Sequence, residues 1–470
     1  TTDYVGAYKM ISEADRRINA SEDRFDINDE SMQEFYVHFS KHCTFIGRME
    51  ESAEHYLDAF KYAKSIITKA EDISSYLITS HFLDISSEEL FHRHKLFQPI
   101  FDGIQKFETF GKHFEIRDGI QNGKMRIGYI SSDFRQHVMF AFMYGVLSMH
   151  DRSRFEIYAY SLCKREQEDY FTNLIESNVD HFVRLPGIFD QDHLPISQAE
   201  SNLKKIVNRI HDDEIDILFD FVGHTGENPL PIMAFKPAPV QISGVGYMAT
   251  TALDTIDFFL TDEITDPPGE HDKFFTEKLL YMPSQFCYVG RNDLESSKGA
   301  PCKSRGSILF GCFQRYGKIT DEVLETWKII LDRVPNSRLR FKAQELIGAS
   351  LGDQFADRLE RIGFDLDRIE IEPASKEYMQ EMLNVDIMLY TYPYPGGGTT
   401  CDTLYMGVPV VTMYGERRNT RFAYAILKAI GLEELATTNR KDYIERAVAL
   451  ANDWDLLDVL HKNLRTMIQN

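Results

Sequence analysis

Up to about Lys112 the apolar residues recur at helical spacing among many charges, and strand-like runs are almost absent. The clearest helical piece runs from Phe45 to Ala63, where Gly47, Ala53, Tyr56 and Ala59 have the spacing of two closely packed helices. From Met125 the period changes, and short apolar runs alternate with amphipathic segments. Arg126 to Ile130, Phe155 to Tyr160, His181 to Leu185, Ile215 to Phe221, Val240 to Ser243 and Ile256 to Leu260 read as strands. Ser197 to Ile210, apolar at Leu203, Ile206, Val207 and Ile210, reads as a helix. After a polar stretch from Arg291 to Gly306 the alternation restarts. It gives strand Ile308 to Phe313, helix Asp321 to Asp332, strand Leu339 to Lys342, helix Asp353 to Ile362 and strand Ile369 to Ile371. Strands that alternate with helices imply parallel sheets covered on both faces.

The last unit carries the most specific pattern. An apolar run, Val385 to Tyr390, leads into Tyr392-Pro-Tyr-Pro-Gly-Gly-Gly-Thr-Thr-Cys-Asp, then a short helix that stops at Gly407, then a strand from Val408 to Met413. Gly396, Gly397 and Gly398 permit a tight turn, and they also let backbone amides near Thr399 and Thr400 approach an anion at a helix start. Both readings stand at this point. There is no Lys directly after the glycines and no GxGxxG, so neither a Walker loop nor a dinucleotide fingerprint is present.

The expected organisation is α/β, with a helical region at 1–112 and two Rossmann-like domains at 124–290 and 305–470, joined by linkers at Phe107 to Lys124 and Arg291 to Gly306. The helical region resembles a single copy of a tetratricopeptide-type helix pair, with an ordinary helical bundle as the alternative. Two facing α/β domains make a cleft at the carboxyl ends of their strands.

Composition narrows the partners. A net charge of -21 argues against nonspecific binding to nucleic acid or to an anionic membrane surface. Six scattered cysteines without a CxxC pair suit free thiols in a reducing compartment. No apolar run reaches the length of a membrane span, and Thr1 to Val5 carry no secretory n-region or h-region. The expected compartment is the cytoplasm.

Three further loops sit at predicted strand ends: Ile130 to His137, Phe221 to Thr225 and Phe313 to Lys318. A histidine there can act as a base or hold an oxyanion, and a lysine beside a glycine loop can neutralise a leaving diphosphate. Each histidine also has a purely structural alternative.

Together these loops are recognisable. Arg126-Ile-Gly-Tyr-Ile-Ser-Ser-Asp-Phe-Arg-Gln-His137, Arg209 to Leu218, Gly223-His-Thr225, Lys236-Pro-Ala-Pro-Val-Gln-Ile242 through Gly246-Tyr247, Phe313 to Ile319 and Gly396 to Thr412 occur in one order. From Met125 to about Ala451 the chain resembles the protein O-glycosyltransferases of O-GlcNAc transferase and SPINDLY type, bacterial relatives included. The resemblance implies a GT-B fold and a metal-independent inverting transferase that moves a sugar from a nucleotide diphosphate to a protein hydroxyl. It carries active-site roles onto His137, His211 and Lys318, and the Gly-His-Thr form of the SPINDLY-like branch onto His224. Asp402 and Lys376 match nucleoside ligands; Gln314, Gly246, Gly397, Gly398, Thr399 and Thr400 complete the expected donor site. Asp365-Leu-Asp367 reads as a solvated turn, and no metal site is expected.

The departures bear on the donor. O-GlcNAc transferases have a His where this chain has Gly398, and a His and an Arg where it has Met379 and Met382, which leaves uridine recognition open. The expected donor is UDP-GlcNAc, with GDP-fucose and other hexoses as alternatives. The acceptor is a Ser or Thr of a protein, by family analogy a flagellin or other bacterial surface protein. A transferase acting on a glycan or small molecule, a sugar-nucleotide epimerase and a catalytically silent nucleotide- or peptide-binding module are the competing readings.

Overall fold

The computed structural model describes residues 3–20, 27–109, 123–189, 194–291, 293–347 and 349–469. The centre of the expected first linker, 110–122, lies outside the described residues. Five helices open the chain: α1 (Tyr4–Ala20), α2 (Asp29–Phe45), α3 (Met49–Tyr62), α4 (Ile66–Ser80) and α5 (Ser87–His94). Asn28, Ser65 and Ser86 cap α2, α4 and α5 by accepting from amides three residues on. Gly47, at φ 82, forms the turn between α2 and α3, and Ala53 and Ala59 are buried on the side of α3 that packs inward. The helix pair expected from the spacing is therefore α2 with α3, and Gly47 supplies its turn.

The first sheet has the strands β1 (Met125–Ser131), β2 (Phe155–Ser161), β3 (His181–Arg184), β4 (Ile217–Asp220), β5 (Val240–Gly244), β6 (Phe258–Asp262) and β7 (Lys278–Met282), in the order β3-β2-β1-β4-β5-β6-β7. The second has β8 (Ile308–Cys312), β9 (Ser337–Ala343), β10 (Ile369–Pro373), β11 (Ile387–Leu389), β12 (Val410–Met413) and β13 (Ala436–Thr437), in the order β10-β9-β8-β11-β12-β13. Every recorded pairing is parallel. Central strands such as β8 and β11 are buried at every position, as a sheet covered on both faces requires. Two strands are additions to the sequence reading: β7, whose residues alternate between exposed and half-buried, and the two-residue β13.

The lobes are joined by more than the chain between them. Arg418, buried in the second lobe, pairs with Asp266 and donates to Thr261 Oγ1 at 2.7 Å and Gln285 Oε1 at 2.6 Å in the first. The helices bridge both lobes. Gln98 accepts from the Asp254 amide at 2.9 Å on one side, while Arg417 donates to the Leu83 carbonyl at 2.9 Å on the other. Among the described residues no helix is long and apolar enough to cross a membrane.

Candidate active site

The glycine stretch builds a strand, loop, helix and strand: β11, the loop 390–397, a helix from Gly398 to Tyr405, and β12. The helix ends at Gly407, whose φ of 89 and close approach to the His461 carbonyl leave no room for a side chain. Gly396 is close-packed against side chains, since a Cβ there would lie 2.1 Å from Thr399 Oγ1 and 3.0 Å from Gln314 Nε2. Thr400 secures the turn by donating its hydroxyl to the Gly396 carbonyl at 2.8 Å. The first amides of this helix thus face the carboxyl edge of the second sheet, where an anion is favoured.

Lys318 ends the turn that follows β8 and reaches this loop. Its Nζ donates to the Pro395 carbonyl at 3.1 Å and lies 3.4 Å from Gln314 Oε1, while Tyr394 presents its ring face 3.7 Å away. Gln314 in turn donates to Thr399 Oγ1 at 3.3 Å. Burial, and then the Arg315 guanidinium, lower the Lys318 ammonium to about 7. Among the described residues no carboxylate pairs with its Nζ, so its charge is not already neutralised by an ion pair.

The first lobe contributes the loop after β1. His137 Nδ1 stands 3.3 Å from Asp133 Oδ2, and the side chain is 36% exposed. Burial lowers the imidazole, opposed by Asp133, and raises the Asp133 carboxyl, opposed by His137 and Arg135. The next residue, Val138, crosses to the second lobe: a Cβ on Gly398 would lie 2.3 Å from Val138 Cγ2. His137, Lys318, Gln314, Gly397, Gly398, Thr399 and Thr400 therefore converge on one place in the cleft.

Asp402 is buried one turn into the Gly398–Tyr405 helix. Its Oδ1 accepts from the Tyr288 hydroxyl and its Oδ2 from the Tyr378 hydroxyl, both at 2.7 Å. Burial raises its carboxyl and the two tyrosines oppose that shift. Neither tyrosine is among the site residues expected from the sequence: Tyr288 comes from the inter-lobe segment, and Tyr378 opens the short helix Tyr378–Met382 after β10. Lys376 lies exposed just before Tyr378, above the buried Met379 and Met382.

Gly246 follows β5 at the cleft edge, and a Cβ there would come within 1.7 Å of the Phe221 carbonyl oxygen, so only glycine fits. The same Phe221 to His224 turn is anchored by Asp220, which accepts from the amides of Val222 at 2.7 Å and Gly223 at 3.0 Å and from Ser243 Oγ at 2.7 Å. His224 itself does not face open space. It is buried, with Nδ1 2.9 Å from Ser74 Oγ on α4 and Nε2 2.8 Å from the Thr251 carbonyl. His211 lies elsewhere: it occupies the last turn of the helix Ile196–Asp212, at the amino ends of the strands, stacked on Phe107 at 3.9 Å. The structure thus separates His211 from the cleft group and commits both nitrogens of His224 to protein partners.

A family model described as glycosyl transferase family 41 matches residues 97–295 and 299–469. A tomato (Solanum lycopersicum) protein described as a probable UDP-N-acetylglucosamine–peptide N-acetylglucosaminyltransferase SPINDLY is 36% identical over 346 residues, which are 73% of this chain and 36% of that protein. The SEC protein of Arabidopsis thaliana, given the same probable activity, is 30% identical over 355 residues, 73% of this chain and 34% of its own. This chain accordingly spans about a third of the length of the curated relatives it matches. Among solved structures, a point mutant of Thermobaculum terrenum O-GlcNAc transferase has the same fold, with a TM-score of 0.82 at 24% identity over 99% of this chain and 83% of that one. A match that runs through both lobes and takes in the loops of His137, Lys318 and Gly398 has one consequence: the chain belongs to glycosyl transferase family 41.

Proposed function

We propose that the cleft transfers a sugar, GlcNAc from UDP-GlcNAc, to a Ser or Thr hydroxyl of a protein with inversion at the anomeric carbon. The observation that carries this reading is the convergence of Lys318 with the Gly396–Thr400 loop on one wall, opposite His137 on the other. The acceptor oxygen attacks the anomeric carbon, the bond to the diphosphate breaks, and the departing charge falls on Lys318 and the amides around Gly397 to Thr400. His137, whose Nδ1 accepts from the Met139 amide at 3.4 Å with Asp133 alongside, is the imidazole placed to receive or orient the acceptor hydroxyl. Asp402 and Lys376 are assigned to the nucleoside. Asp402 acts through the two phenols it holds as well as through its own oxygens.

The probable activity in the names of the SPINDLY and SEC relatives supports the UDP-GlcNAc donor. A second reading, GDP-fucose, draws on Gly398 and on the burial of Met379 and Met382, which offer no polar group where a uracil would be read. Lys318 and the loop amides supply positive charge, so transfer is assigned as independent of divalent metal, and an undiminished rate in EDTA checks it. A cytoplasmic site and a bacterial surface-protein acceptor such as flagellin complete the proposal. The test is incubation with a panel of UDP- and GDP-sugars, following donor hydrolysis together with acceptor mass. An N-acetylhexosamine increment on protein is expected, a deoxyhexose increment from GDP-fucose selects the second reading, and hydrolysis or epimerisation without a protein adduct refutes both.

A further inference from the structure

Away from the cleft, the α2–α3 hairpin brings a thiol, a carboxylate and an imidazole together. One ligand atom each from Cys43, Glu51 and His55 lies within 4.8 Å of the other two. Cys43 sits in the last turn of α2, and Glu51 and His55, four apart on α3, share one face of that helix.

The surroundings are those of a ligand set. Asp58 Oδ2 stands 3.3 Å from His55 Nδ1, which holds a proton there and leaves the lone pair on Nε2, 4.0 Å from Glu51 Oε1. Metal-ligating histidines carry this outer carboxylate as a rule. The ring is held in plane by Phe39, stacked at 3.9 Å and 21°, and by Tyr36 at 5.7 Å. Glu51 is steadied in the same way, because the Tyr8 hydroxyl on α1 reaches both its oxygens at 2.9 and 3.0 Å.

We infer that Cys43, Glu51 and His55 form a binding site for a borderline-soft divalent cation of the Zn²⁺ class, clamping α2 to α3 and leaving a fourth position to water. Sulfur, nitrogen and oxygen donors in one set favour zinc over magnesium or calcium. Thiolate and carboxylate together cancel the cation's charge, so the filled site is neutral. Arg48, 3.1 Å from Glu51 and 56% exposed, is the competing cation and has solvent to turn into. The Cys43 thiol gives up one proton as its sulfur ligates. The site is structural and needs nothing from the transfer chemistry, although the hairpin turn it stiffens rests on the Lys318 segment: a Cβ on Gly47 would lie 3.1 Å from Tyr316 Cε1.

Titration of the full chain with Co²⁺ tests it. A thiolate-to-cobalt band in the near ultraviolet and intense visible bands of a four-coordinate ion should saturate at one equivalent and be displaced by Zn²⁺. Cys43→Ala should abolish the thiolate band, His55→Ala should weaken binding at least ~10-fold, and Asp58→Asn should weaken it about 10–100-fold with the bands retained. Cys287→Ser, at the exposed thiol, should change nothing. Cys43 is buried, so the more exposed His55→Ala and Asp58→Asn, checked for native circular dichroism, keep the test independent of a folding defect. Absence of the thiolate band in the full chain, its survival in Cys43→Ala, or unchanged affinity in a folded His55→Ala protein overturns the site.

Discussion

Val138 of the first lobe and Gly398 of the second touch so closely that a Cβ on Gly398 would lie 2.3 Å from Val138 Cγ2. The absent side chain at 398 lets the cleft walls meet beside His137 and Thr399, and a methyl there would have to push aside Val138, which is 44% exposed. Gly398→Ala should lower kcat/KM for the donor by roughly 10–100-fold, the equivalent of ~1–3 kcal/mol of overpacking. Val138→Ala should restore much of that loss in the double variant, because the two substitutions share one contact. Additive effects in steady-state kinetics would show that the two residues act separately.

On the proposed donor role, Lys318 should make nucleoside diphosphate binding sensitive to pH near neutrality. Burial and Arg315 lower its ammonium to about 7, and a diphosphate beside it favours the charged form. Below about pH 7 the lysine is already protonated and binding is at its strongest. Above it, each binding event takes up a proton, and nucleoside diphosphate affinity should fall by up to about tenfold per pH unit. Calorimetry in buffers of different ionisation enthalpy should record that proton uptake, and Lys318→Met should abolish both the uptake and the slope. The same variant should cut turnover by roughly 10²–10³-fold. Because the folded-state lysine is lowered, the native fold gains stability as pH rises from about 7 toward the ordinary lysine range, and Lys318→Met should lose that gain while melting higher at neutral pH.

Asp402 joins Tyr288 of the inter-lobe segment to Tyr378 of the second lobe through one carboxylate, each phenol 2.7 Å from its own oxygen. Asp402→Ala leaves both half-buried hydroxyls without their acceptor, which should cost about 1 kcal/mol of stability for each bond lost. Tyr288→Phe should cost less, because Asp402 keeps Tyr378. Thermal melts rank the variants. Raised donor KM in Tyr378→Phe, with kcat held, would assign that phenol to ground-state nucleoside binding.

The sheets were legible because buried parallel strands are continuous apolar runs, as in Ile308 to Cys312, and the strand, loop and helix around the glycines were legible because their turn is written in adjacent residues. β7 was not, since Lys278, Leu280 and Met282 alternate outward on an edge and give no core signal. The partners of the site residues were hidden for another reason. Tyr288 meets Asp402 across 114 residues and Ser74 meets His224 across 150, distances over which spacing carries no information. His211 and His224 look alike in sequence, each beside a predicted strand, yet one stacks on Phe107 at the far edge of the sheet and the other is enclosed under α4. Direction along the strand distinguishes the first, and only the packed helices distinguish the second.

Those helices also make the fold acid-sensitive. His81, His94 and His224 are buried around Tyr247, whose hydroxyl lies 2.7 Å from His94 Nε2 and 3.2 Å from His81 Nε2. Burial lowers all three imidazoles, His94 to about 4. In each case the unfolded chain binds the proton first, so their contribution to stability is present above the ordinary histidine range and is lost as pH falls from about 6.5 toward 4. Each group adds up to about 1.4 kcal/mol per pH unit to the slope. Denaturant unfolding between pH 7.5 and about 5 should show this loss, and His94→Gln should flatten it. His224→Ala should lower the melting temperature strongly, since it removes the imidazole that joins Ser74 Oγ to the Thr251 carbonyl and opens a gap beside Phe97, whereas His137→Ala should lower kcat with little change in melting. The reverse pattern, a stable His224→Ala protein that has lost turnover, would return His224 to the chemistry and remove it from the helix interface.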